Sequence, residues 1–281
     1  MKIIVAGATG YLGRQLFSMA SKDQTVLGTS TAISNTMLRL RLDEPNKFEY
    51  GVIQEKDVVL LTAAIRAPDV CSREHDRSWA VNVTGTSSFI SRVISRGARV
   101  IFFSSDAVYG ERADAFDEST TCNPSGDYAV MKHEVEGRFL GNTAFKTIRL
   151  SYVFSSEDKF TKYLCGCVER MEEAEIFHPF CRAVVHRDDV VQGAIALAQR
   201  WDEFPQSAIN FGGPNVIART EFAQTLKDNV LPVLRFRQIE PEPEFFTNRP
   251  RVIQMTSPVL ASLLGRPAHT LYRAIKIEFN K

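Results

Sequence analysis

A glycine-rich turn near the amino terminus constrains the fold of this chain more than any other feature. Residues 2–6 (KIIVA) predict a short buried strand, and Gly7, Gly10 and Gly13 follow at three-residue spacing before a helical stretch. Gly7 permits a tight turn, Gly10 leaves room for a pyrophosphate, and Gly13 lets the helix pack close to the strand. A plain turn is the alternative, because the usual fingerprint is Gly-x-Gly-x-x-Gly. The position between a strand and a helix amino terminus, which attracts phosphate, favours dinucleotide binding.

Length, charge and composition favour an enzyme of small molecules over a nucleic-acid or membrane protein. The 281 residues suffice for one large core, or for a main domain with a smaller lobe. Lysine and arginine number 34 against 33 acidic residues, so the formal net charge of +1 creates no field that attracts nucleic acid or anionic membrane. No apolar stretch approaches the length of a membrane span. We therefore expect a small-molecule ligand, no nucleic-acid partner and no membrane association, and a homodimer stays open.

The cysteines and the amino-terminal sequence predict a cytoplasmic location. The five cysteines are an odd number without framework-like spacing, in a chain too long to need disulfides. Cys165 and Cys167 flank a glycine, but no second cysteine pair or histidine cluster accompanies them, so we expect no metal site. Met1 leads directly into the first strand, and we therefore expect no signal peptide.

Apolar runs that alternate with helical segments predict an α/β fold with a doubly wound parallel Rossmann sheet. The predicted strands are 2–6, 25–29, 38–42, 57–64, 99–103, 145–150 and 209–211. The predicted helices are 14–21, 73–95, a segment that starts at 128, and 188–200. Such sheets bind ligands at the carboxyl ends of their strands, where the strand 99–103 delivers Ser104 and Ser105.

The last third of the chain predicts a smaller substrate-binding lobe. Prolines at 232, 241, 243, 250, 258 and 267 break this part into short elements. We expect residues 1–151 and 186–212 to form the dinucleotide-binding Rossmann domain. Residues 152–185 and 213–281 are expected to form the lobe that folds over the ligand cleft.

Ser105, Tyr128 and Lys132 are the strongest candidates for catalysis. Tyr128 and Lys132 are four residues apart, so on a helix they share one face. Spacing alone proves little, because Tyr272 and Lys276 repeat it near the carboxyl terminus. No strand-end serine precedes that second pair, which therefore predicts only an amphipathic helix.

With these residues the chain resembles the extended short-chain dehydrogenase/reductase family, the NAD-dependent epimerase/dehydratase family. The glycine turn matches the family's Gly-x-x-Gly-x-x-Gly, and residues 128–132 match its Tyr-x-x-x-Lys. Residues 105–110 (SDAVYG) are similar to its Ser/Thr-x-x-Val-Tyr-Gly. Further similar segments are 62–64, 81–86, 149–151, 185–190 and 211–214. Residues 105–109, 249–251, 256–257 and 263–267 most resemble dTDP-4-dehydrorhamnose reductase-like sugar-nucleotide reductases.

The resemblance implies a division of catalytic roles. Lys132 would hold the nicotinamide ribose, Tyr128 would exchange a proton with the substrate oxygen, and Ser105 would hydrogen-bond that oxygen during hydride transfer. To move a tyrosine pKa from about 10 to about 7, the protein must stabilise the phenolate by roughly 4 kcal/mol, and Lys132 would supply part of this.

The resemblance also implies two sets of contacts. Cofactor contacts are expected at Gly7, Thr9, Gly10, Tyr11, Leu12, Gly13, Arg14, Thr29, Ser30, Arg39, Asp43, Thr62, Ala63, Ala64, Asn82, Ser104, Tyr128, Lys132, Ser151 and Val153. Substrate contacts are expected at Arg66, Ser105, Asp106, Ala107, Arg182, Arg187 and Arg249. His186 has the family's loop position, and a structural histidine is the favoured interpretation.

Ala107 narrows the set of reactions that the chain is expected to catalyse. Family members that dehydrate nucleotide sugars have an Asp-Glu pair after the catalytic serine or threonine, and an alanine cannot act as that base. The leading hypothesis is NAD(P)-dependent reduction of an NDP-4-keto-6-deoxysugar, with Tyr128 as the acid. A nucleotide-sugar epimerase that retains its cofactor is the second. The third is a non-catalytic NADP-binding regulatory subunit like that of methionine adenosyltransferase, which shares a segment similar to residues 66–70 (RAPDV).

The end of the second strand favours NADP over NAD as the cofactor. An NAD-selective site usually has a carboxylate there for the ribose 2′-hydroxyl, whereas residues 28–31 are GTST. Hydroxyl groups together with Arg14 or Arg39 suit a 2′-phosphate better. NAD stays the alternative. Residues 154–156 (FSS) replace the Tyr-Gly-Pro of many relatives, which predicts an unusual loop on the substrate side.

Overall fold

The structure, a computed structural model, describes residues 1–279. In chain order its strands are β1 (Ile3–Ala6), β2 (Val26–Ser30), β3 (Leu38–Arg39), β4 (Val58–Leu61), β5 (Arg99–Ser105), β6 (Arg112–Phe116), β7 (Phe145–Leu150), β8 (Val153–Phe154), β9 (Glu173–Phe177), β10 (Cys181–Ala183), β11 (Val185–His186), β12 (Ala208–Phe211), β13 (Val216–Ala218), β14 (Arg235–Ile239) and β15 (Ile253–Met255).

Helices cover both faces of the main sheet, and further helices lie in the carboxyl-terminal part of the chain. They are α1 (Tyr11–Ala20), α2 (Pro68–Arg73), α3 (His75–Trp79), α4 (Thr86–Ser95), α5 (Asp127–Arg138), α6 (Lys159–Glu169), α7 (Arg187–Gln199), α8 (Arg219–Asn229), α9 (Pro243–Thr247), α10 (Pro258–Leu264) and α11 (Leu271–Phe279). Shorter turns are a π-helical turn at Ala80–Gly85 and 3₁₀ turns at Pro45–Lys47, Tyr50–Val52, Asp106–Tyr109 and Trp201–Glu203.

The main sheet is the predicted doubly wound parallel sheet. Its seven strands run in the order β12-β7-β5-β4-β1-β2-β3, and every neighbouring pair is parallel. All residues of β1 and β4 are buried, as helices on both faces require. The chain moves outward from β1 to β3 and then returns to β4, so the strand order reverses beside β1. In open sheets a crevice forms at the carboxyl ends of the strands on either side of this reversal.

Two apolar layers hold the helices on the sheet. Leu16 of α1 and Leu197 of α7 pack with Ile3 on one face, and Phe89 of α4 packs with Ile4 on the other. Removing such a side chain to alanine costs about 2–5 kcal/mol of unfolding free energy. The sheet and its two helical layers therefore form a rigid platform below the crevice.

Outside the main sheet, two-stranded sheets join strands that are far apart in sequence. β9 pairs in parallel with β14, and β10 pairs antiparallel with β13. β6, which lies within the predicted Rossmann segment 1–151, pairs in parallel with β15. The loop that carries β6 therefore packs with the carboxyl-terminal part of the chain. The division into two domains stays a prediction.

Two predicted elements differ in the structure. The strand predicted at 38–42 is only β3, and the helix predicted at 73–95 starts at Pro68 and contains the π-helical turn. A side-chain Cβ at Gly85 would lie 1.5 Å from the carbonyl oxygen of Leu42, so a close backbone contact explains the glycine in that turn. Among residues 1–279, no helix combines the length and the apolar character needed to cross a membrane.

Candidate active site

A cleft of ≈ 490 Å³ opens at the carboxyl ends of β1, β4, β5 and β7. The predicted cofactor residues that line it are Gly7, Thr9, Gly10, Tyr11, Leu12, Gly13, Thr62, Ala63, Ala64, Ser104, Tyr128, Lys132 and Val153, and the predicted substrate residue Arg66 joins them. Phe103 and Leu150 also line it, although neither is among the residues predicted above to contact cofactor or substrate. Leu150 ends β7 and Phe103 lies two residues before the end of β5, and this nearness to the carboxyl ends of strands is the signal that could have located them.

The glycine turn and the first turn of α1 form a cradle that lines the cleft. Gly7 has a φ of +95°, which residues with a Cβ rarely adopt, and a Cβ at Gly13 would lie 2.1 Å from the carbonyl oxygen of Gly7. α1 starts beyond Gly10 with no side-chain cap and no acidic residue in its first turn. Its first N–H groups have no partner within the helix, so they are free to bind phosphate oxygens.

A buried hydroxyl in the same cleft also lacks a partner. Oγ of Ser104, on the cleft-lining end of β5, is buried without a hydrogen-bond partner among residues 1–279. Such a group is costly unless a ligand or water satisfies it. The cradle and this hydroxyl fit a dinucleotide.

The hydroxyl groups at the end of β2 make different contacts. Oγ1 of Thr29 accepts a hydrogen bond from the Gly7 N–H (3.1 Å), and Oγ of Ser30 accepts one from the Ala32 N–H (3.1 Å). Thr31 is exposed and lines the cleft. Thr29 and Ser30 therefore support the turn and the strand end, and Thr31 is the hydroxyl of this segment at the cleft.

Several predicted cofactor residues lie outside the cleft lining. Arg14, Arg39 and Asp43 are exposed, and the Asp43 carboxylate pairs with Arg41, whose hydrogen bond lowers the pKa of Asp43. Asn82 is buried, and its amide accepts from the Ile65 N–H and donates to the Ile65 carbonyl oxygen, both at 2.8 Å. Asn82 thus fixes the loop that follows β4.

Tyr128 and Lys132 lie near the start of α5, and both line the cleft. Nζ of Lys132 donates to the carbonyl oxygen of Phe103 (2.8 Å) and lies 5.7 Å from the centre of the Tyr128 ring. Burial lowers the pKa of Lys132 to about 8, against the opposing effect of Glu136. The spacing of four residues therefore places both side chains at the cleft, as predicted.

The Tyr128 phenol is held in its neutral form. Burial raises its pKa well above the usual range, the nearby Cys71 and Asp106 raise it further, and Arg66 lowers it. Arg66 is thus a cation that favours the phenolate in this structure. A neutral phenol is the form that can donate a proton to a substrate oxygen.

Ser105 is held beside the cleft by a buried acid. Its Oγ donates to Oδ1 of Asp106 (3.2 Å) and accepts from the Ala107 N–H (3.2 Å). Oδ2 of Asp106 accepts from Oγ of Ser151 (2.8 Å), and Nε of Arg182 lies 3.7 Å away. Burial raises the pKa of Asp106, and Arg182 opposes this. Ser105 is half-buried, does not line the cleft, and is positioned by this network.

The three arginines expected to bind substrate already have protein partners. Arg182 donates to the carbonyl oxygens of residues 181, 250 and 251. Arg187 pairs with Glu157 (2.6 Å). Arg249 forms a bidentate pair with Asp69 at 2.7 and 2.6 Å, 180 positions away in the sequence.

His186 has a buried acidic partner. Its Nε2 lies 3.0 Å from Oε1 of Glu278 on α11. Burial alone would raise the pKa of Glu278, but hydrogen bonds from His186 and Ser156 lower it to about 2. The pair ties the carboxyl-terminal helix to the start of α7.

Comparison with known proteins identifies the family of this chain. Residues 1–264 match the family described as the RmlD substrate binding domain. The chain belongs to this RmlD family. The match confirms the predicted resemblance to the extended short-chain dehydrogenases/reductases and to their dTDP-4-dehydrorhamnose reductase-like members.

Solved structures share the RmlD-family fold at low sequence identity. A variant of the UDP-glucuronic acid 4-epimerase from Bacillus cereus, in complex with UDP-4-deoxy-4-fluoro-glucuronic acid and NAD, aligns with a TM-score of 0.85 and 18% identity over 100% of this chain and 98% of that one. A hypothetical dTDP-4-dehydrorhamnose reductase from Sulfolobus tokodaii aligns with a TM-score of 0.83 and 19% identity over 96% and 97%. These likenesses confirm the predicted α/β fold.

The name of one curated relative of this chain is not that of a sugar-nucleotide enzyme. Methionine adenosyltransferase 2 subunit beta from Bos taurus is 23% identical over 288 residues, which cover 93% of this chain and 82% of the relative.

Proposed function

We propose that the chain is an NAD(P)-dependent oxidoreductase that reduces the keto group of a nucleotide sugar, specifically an NDP-4-keto-6-deoxysugar. The observation that carries the proposal is the presence of Tyr128, Lys132 and the glycine cradle in one cleft. Residues 1–151 and 186–212 would bind the cofactor, and residues 152–185 and 213–281 would bind the sugar nucleotide. We propose a cytoplasmic enzyme, and a homodimer is compatible with the proposal.

The cofactor would be NADP, with NAD as the alternative. The free N–H groups of α1 would bind its diphosphate, and Lys132 would hold the nicotinamide ribose. Thr31 lines the cleft, and neither neighbour in the sequence carries a carboxylate that would repel a phosphate. This supports binding of the 2′-phosphate of NADP. When bound, the cofactor supplies the hydride for reduction.

The protein's own groups would supply the proton. Tyr128, whose raised pKa keeps the phenol neutral, is the acid that would protonate the developing alkoxide. Ser105 would hydrogen-bond the same oxygen, for which its hydroxyl has to turn away from Asp106. The hydrogen bond that it gives up is long, at 3.2 Å.

Two other functions have support from particular observations. The TM-score of 0.85 to a nucleotide-sugar epimerase favours a reaction in which the cofactor is recycled. The similarity to methionine adenosyltransferase 2 subunit beta, over 93% of this chain, favours a regulatory NADP-binding role. Reduction is preferred to dehydration because Ala107 provides no carboxylate at the position of the dehydratase base.

A panel of dTDP-, UDP-, GDP- and CDP-4-keto-6-deoxysugars tests the proposal. We expect at least one of them to cause stoichiometric loss of NADPH absorbance together with a 4-hydroxy product. Exchange of isomers without cofactor consumption would establish the epimerase instead. Elimination of water would contradict the argument from Ala107. Cofactor binding without any turnover would support the regulatory role.

A further inference from the structure

Cys122, His133 and Glu136 form a cluster of metal-type ligands outside the cofactor cleft, here called the Cys-His-Glu cluster. The Cys122 sulfur, a ring nitrogen of His133 and a carboxylate oxygen of Glu136 all lie within 4.8 Å of one another. His133 and Glu136 are three residues apart on α5, so both project from one face of that helix. Cys122 comes from the segment between β6 and α5. The tertiary fold therefore brings the three groups together.

Two atoms of this cluster are buried without a hydrogen-bond partner among residues 1–279. They are Nδ1 of His133 and Oε1 of Glu136. The Glu136 side chain is only 7% exposed. A carboxylate oxygen can only accept a hydrogen bond, and an imidazole nitrogen accepts one whenever it carries no proton. Buried acceptors without a donor are costly, and a bound cation satisfies such lone pairs.

The second oxygen of the Glu136 carboxylate is held by Arg149. Nε and Nη2 of Arg149 donate to Oε2 of Glu136 at 3.0 and 2.7 Å. Nη1 of Arg149 donates to the Tyr109 hydroxyl at 2.7 Å, and that hydroxyl donates to Oδ1 of Asn210 at 2.8 Å. Carboxylates that bind metals are commonly oriented by such outer hydrogen bonds. Arg149 therefore fixes the Glu136 side chain and leaves Oε1 available as a ligand.

The chain on both sides of Cys122 is also fixed. Nη2 of Arg112, on β6, donates to the Thr121 carbonyl oxygen at 2.8 Å. A Cβ at Gly110 would lie 2.3 Å from the carbonyl oxygen of Asn123, so the two backbones are in close contact. Cys122 itself is half-buried, and its thiol forms no disulfide. The fold thus holds the sulfur next to α5 before any ligand binds.

Two other groups of possible metal ligands within residues 1–279 both contain His186. The acids of these groups already have cationic or polar partners. Asp189 accepts from Arg266 at 2.7 Å, and Glu278 lies 3.0 Å from Nε2 of His186. A cation would displace these contacts, whereas in the Cys-His-Glu cluster it would meet unpaired atoms.

The chemistry of the cluster favours Zn²⁺. Mg²⁺ and Ca²⁺ require oxygen ligands, whereas Zn²⁺ binds sulfur, nitrogen and oxygen in one tetrahedral site. Bonds of about 2.0–2.3 Å place tetrahedral ligand atoms roughly 3.3–3.8 Å apart, which the observed limit of 4.8 Å permits. A thiolate and a carboxylate together balance the charge of the ion, so Arg149 would keep a neutral neighbour.

We propose that Cys122, His133 and Glu136 bind one Zn²⁺ ion, with a water molecule in the fourth position. The ion would join the segment before α5 to this helix, whose start lines the cofactor cleft. Its role is to stabilise the fold, and it requires no turnover of a substrate. The sequence expectation of no metal site considered Cys165 and Cys167. Cys122 lies 11 positions before His133, and this spacing forms no local motif.

Zinc titration of the full chain tests the site. The protein is stripped of metal with a chelator, kept reduced, and titrated with Zn²⁺ in competition with a colorimetric indicator. We expect one tightly bound equivalent and a rise in Tm, with no comparable effect of Mg²⁺. Cys122→Ser and His133→Gln should each weaken zinc binding by at least about 10-fold, because the loss of a ligand costs at least as much as the loss of an outer-shell partner.

Co²⁺ in place of Zn²⁺ reports the ligands directly. In the wild type we expect the absorption bands of a tetrahedral site together with a thiolate-to-metal charge-transfer band. Cys122→Ser should lose the charge-transfer band. Circular dichroism of each variant without metal verifies that it is folded, and the wild-type spectrum tests the thiolate ligand even if a variant fails to fold.

Cys165→Ser and His75→Gln are the matched controls. Cys165 is a half-buried free thiol and His75 is 48% exposed, and both lie outside the Cys-His-Glu cluster. Both controls should bind Zn²⁺ like the wild type. Absence of zinc binding to the wild type would overturn the proposal. Wild-type zinc affinity in folded Cys122→Ser and His133→Gln would overturn it as well, because the metal would then be an adventitious ion only.

Discussion

The phenolic oxygen of Tyr11 lies 2.7 Å from Oγ of Ser155. Tyr11 opens α1 at the glycine cradle, and Ser155 lies in the segment 154–156 that departs from the family's Tyr-Gly-Pro. Ser155 Oγ also accepts from the Glu157 N–H (3.1 Å). The unusual serine therefore supplies an oxygen that links the cofactor cradle to the loop after β8, where a glycine would supply none.

This link predicts an energetic coupling between the two residues. In a double-mutant cycle with Tyr11→Phe and Ser155→Ala, we expect a coupling of about 0.5–1.5 kcal/mol in unfolding free energy. Urea denaturation of the four proteins measures it. Purely additive effects of the two substitutions would mean that the contact contributes nothing to stability.

Tyr128→Phe should abolish ketosugar reduction and leave NADPH affinity nearly unchanged. The ring still packs, and only the transferable proton is lost, so we expect a loss of at least about 100-fold in kcat. Steady-state kinetics and fluorescence titration of NADPH provide the two measurements. Tyr272→Phe is the matched control, because Tyr272 is 49% exposed and has Lys276 4.3 Å above its ring. Loss of activity in the control, with full activity in Tyr128→Phe, would show that the assignment of catalysis to Tyr128 and Lys132 is wrong.

Lys132 predicts a pH dependence of cofactor binding. Its pKa of about 8 means that the ammonium group, which would hold the ribose, is lost as the pH rises above 8. NADPH affinity of the wild type should therefore fall between pH 8 and 9.5. Lys132→Met should bind weakly throughout with a flat profile, and Lys276→Met should follow the wild type. A flat wild-type profile would argue against a ribose contact by Lys132.

The same group affects stability in a defined direction. Lys132 binds its proton more weakly in the folded chain, at a pKa of about 8, than at the ordinary value of 10.5, so protonation opposes folding. This cost is complete below pH 8 and disappears as the pH rises toward 10.5. The unfolding free energy of the wild type should therefore increase relative to that of Lys132→Met over that pH range, and urea denaturation measures this.

Glu278→Gln should destabilise the protein at neutral pH. The carboxylate has a pKa of about 2 in the folded chain against an ordinary 4.5, so its ionised form contributes about 3 kcal/mol above pH 4.5. That contribution is lost as the pH falls from 4.5 through 2, and the difference between variant and wild type should shrink accordingly. Denaturation curves at pH 7, 4 and 3 measure this. Glu203→Gln, at an exposed pair with Arg200, is the control and should change little.

Thr31→Asp should reverse the cofactor preference. A carboxylate at the end of β2 repels a 2′-phosphate and can accept from a 2′-hydroxyl, so NADPH affinity should fall by at least about 10-fold while NADH affinity is kept or improved. In the wild type, NADPH at 100 times its dissociation constant should add about 2.7 kcal/mol of stability. Equal or greater thermal stabilisation of the wild type by NADH would contradict the preference for NADP.

The glycine cradle and the shared helix face of Tyr128 and Lys132 follow from the sequence because both depend on local spacing. Gly7, Gly10 and Gly13 are fixed by backbone geometry, and the four-residue spacing of Tyr128 and Lys132 places both on one face of α5. The parallel sheet likewise follows from continuous apolar runs such as β4.

The partners of the charged groups could not be predicted in the same way. Asp69 and Arg249 are 180 positions apart, and nothing in either local sequence indicates that they pair. The hydroxyl of Thr29 serves the backbone of Gly7, which becomes evident only when β1 and β2 lie side by side. An arginine's availability for a ligand depends on such tertiary contacts, which is why the partners of Arg182 and Arg187 could not be predicted either.

The pairing of β6 with β15 has a consequence for synthesis on the ribosome. Residues 112–116 emerge long before residues 253–255, yet Val108 and Phe116 share one buried apolar cluster with Ile253 and Met255. During translation this apolar surface and an unpaired strand edge stay open, and such surfaces promote aggregation. A nascent chain arrested before residue 253 should therefore depend on chaperones even though its glycine cradle and Tyr128 are already present.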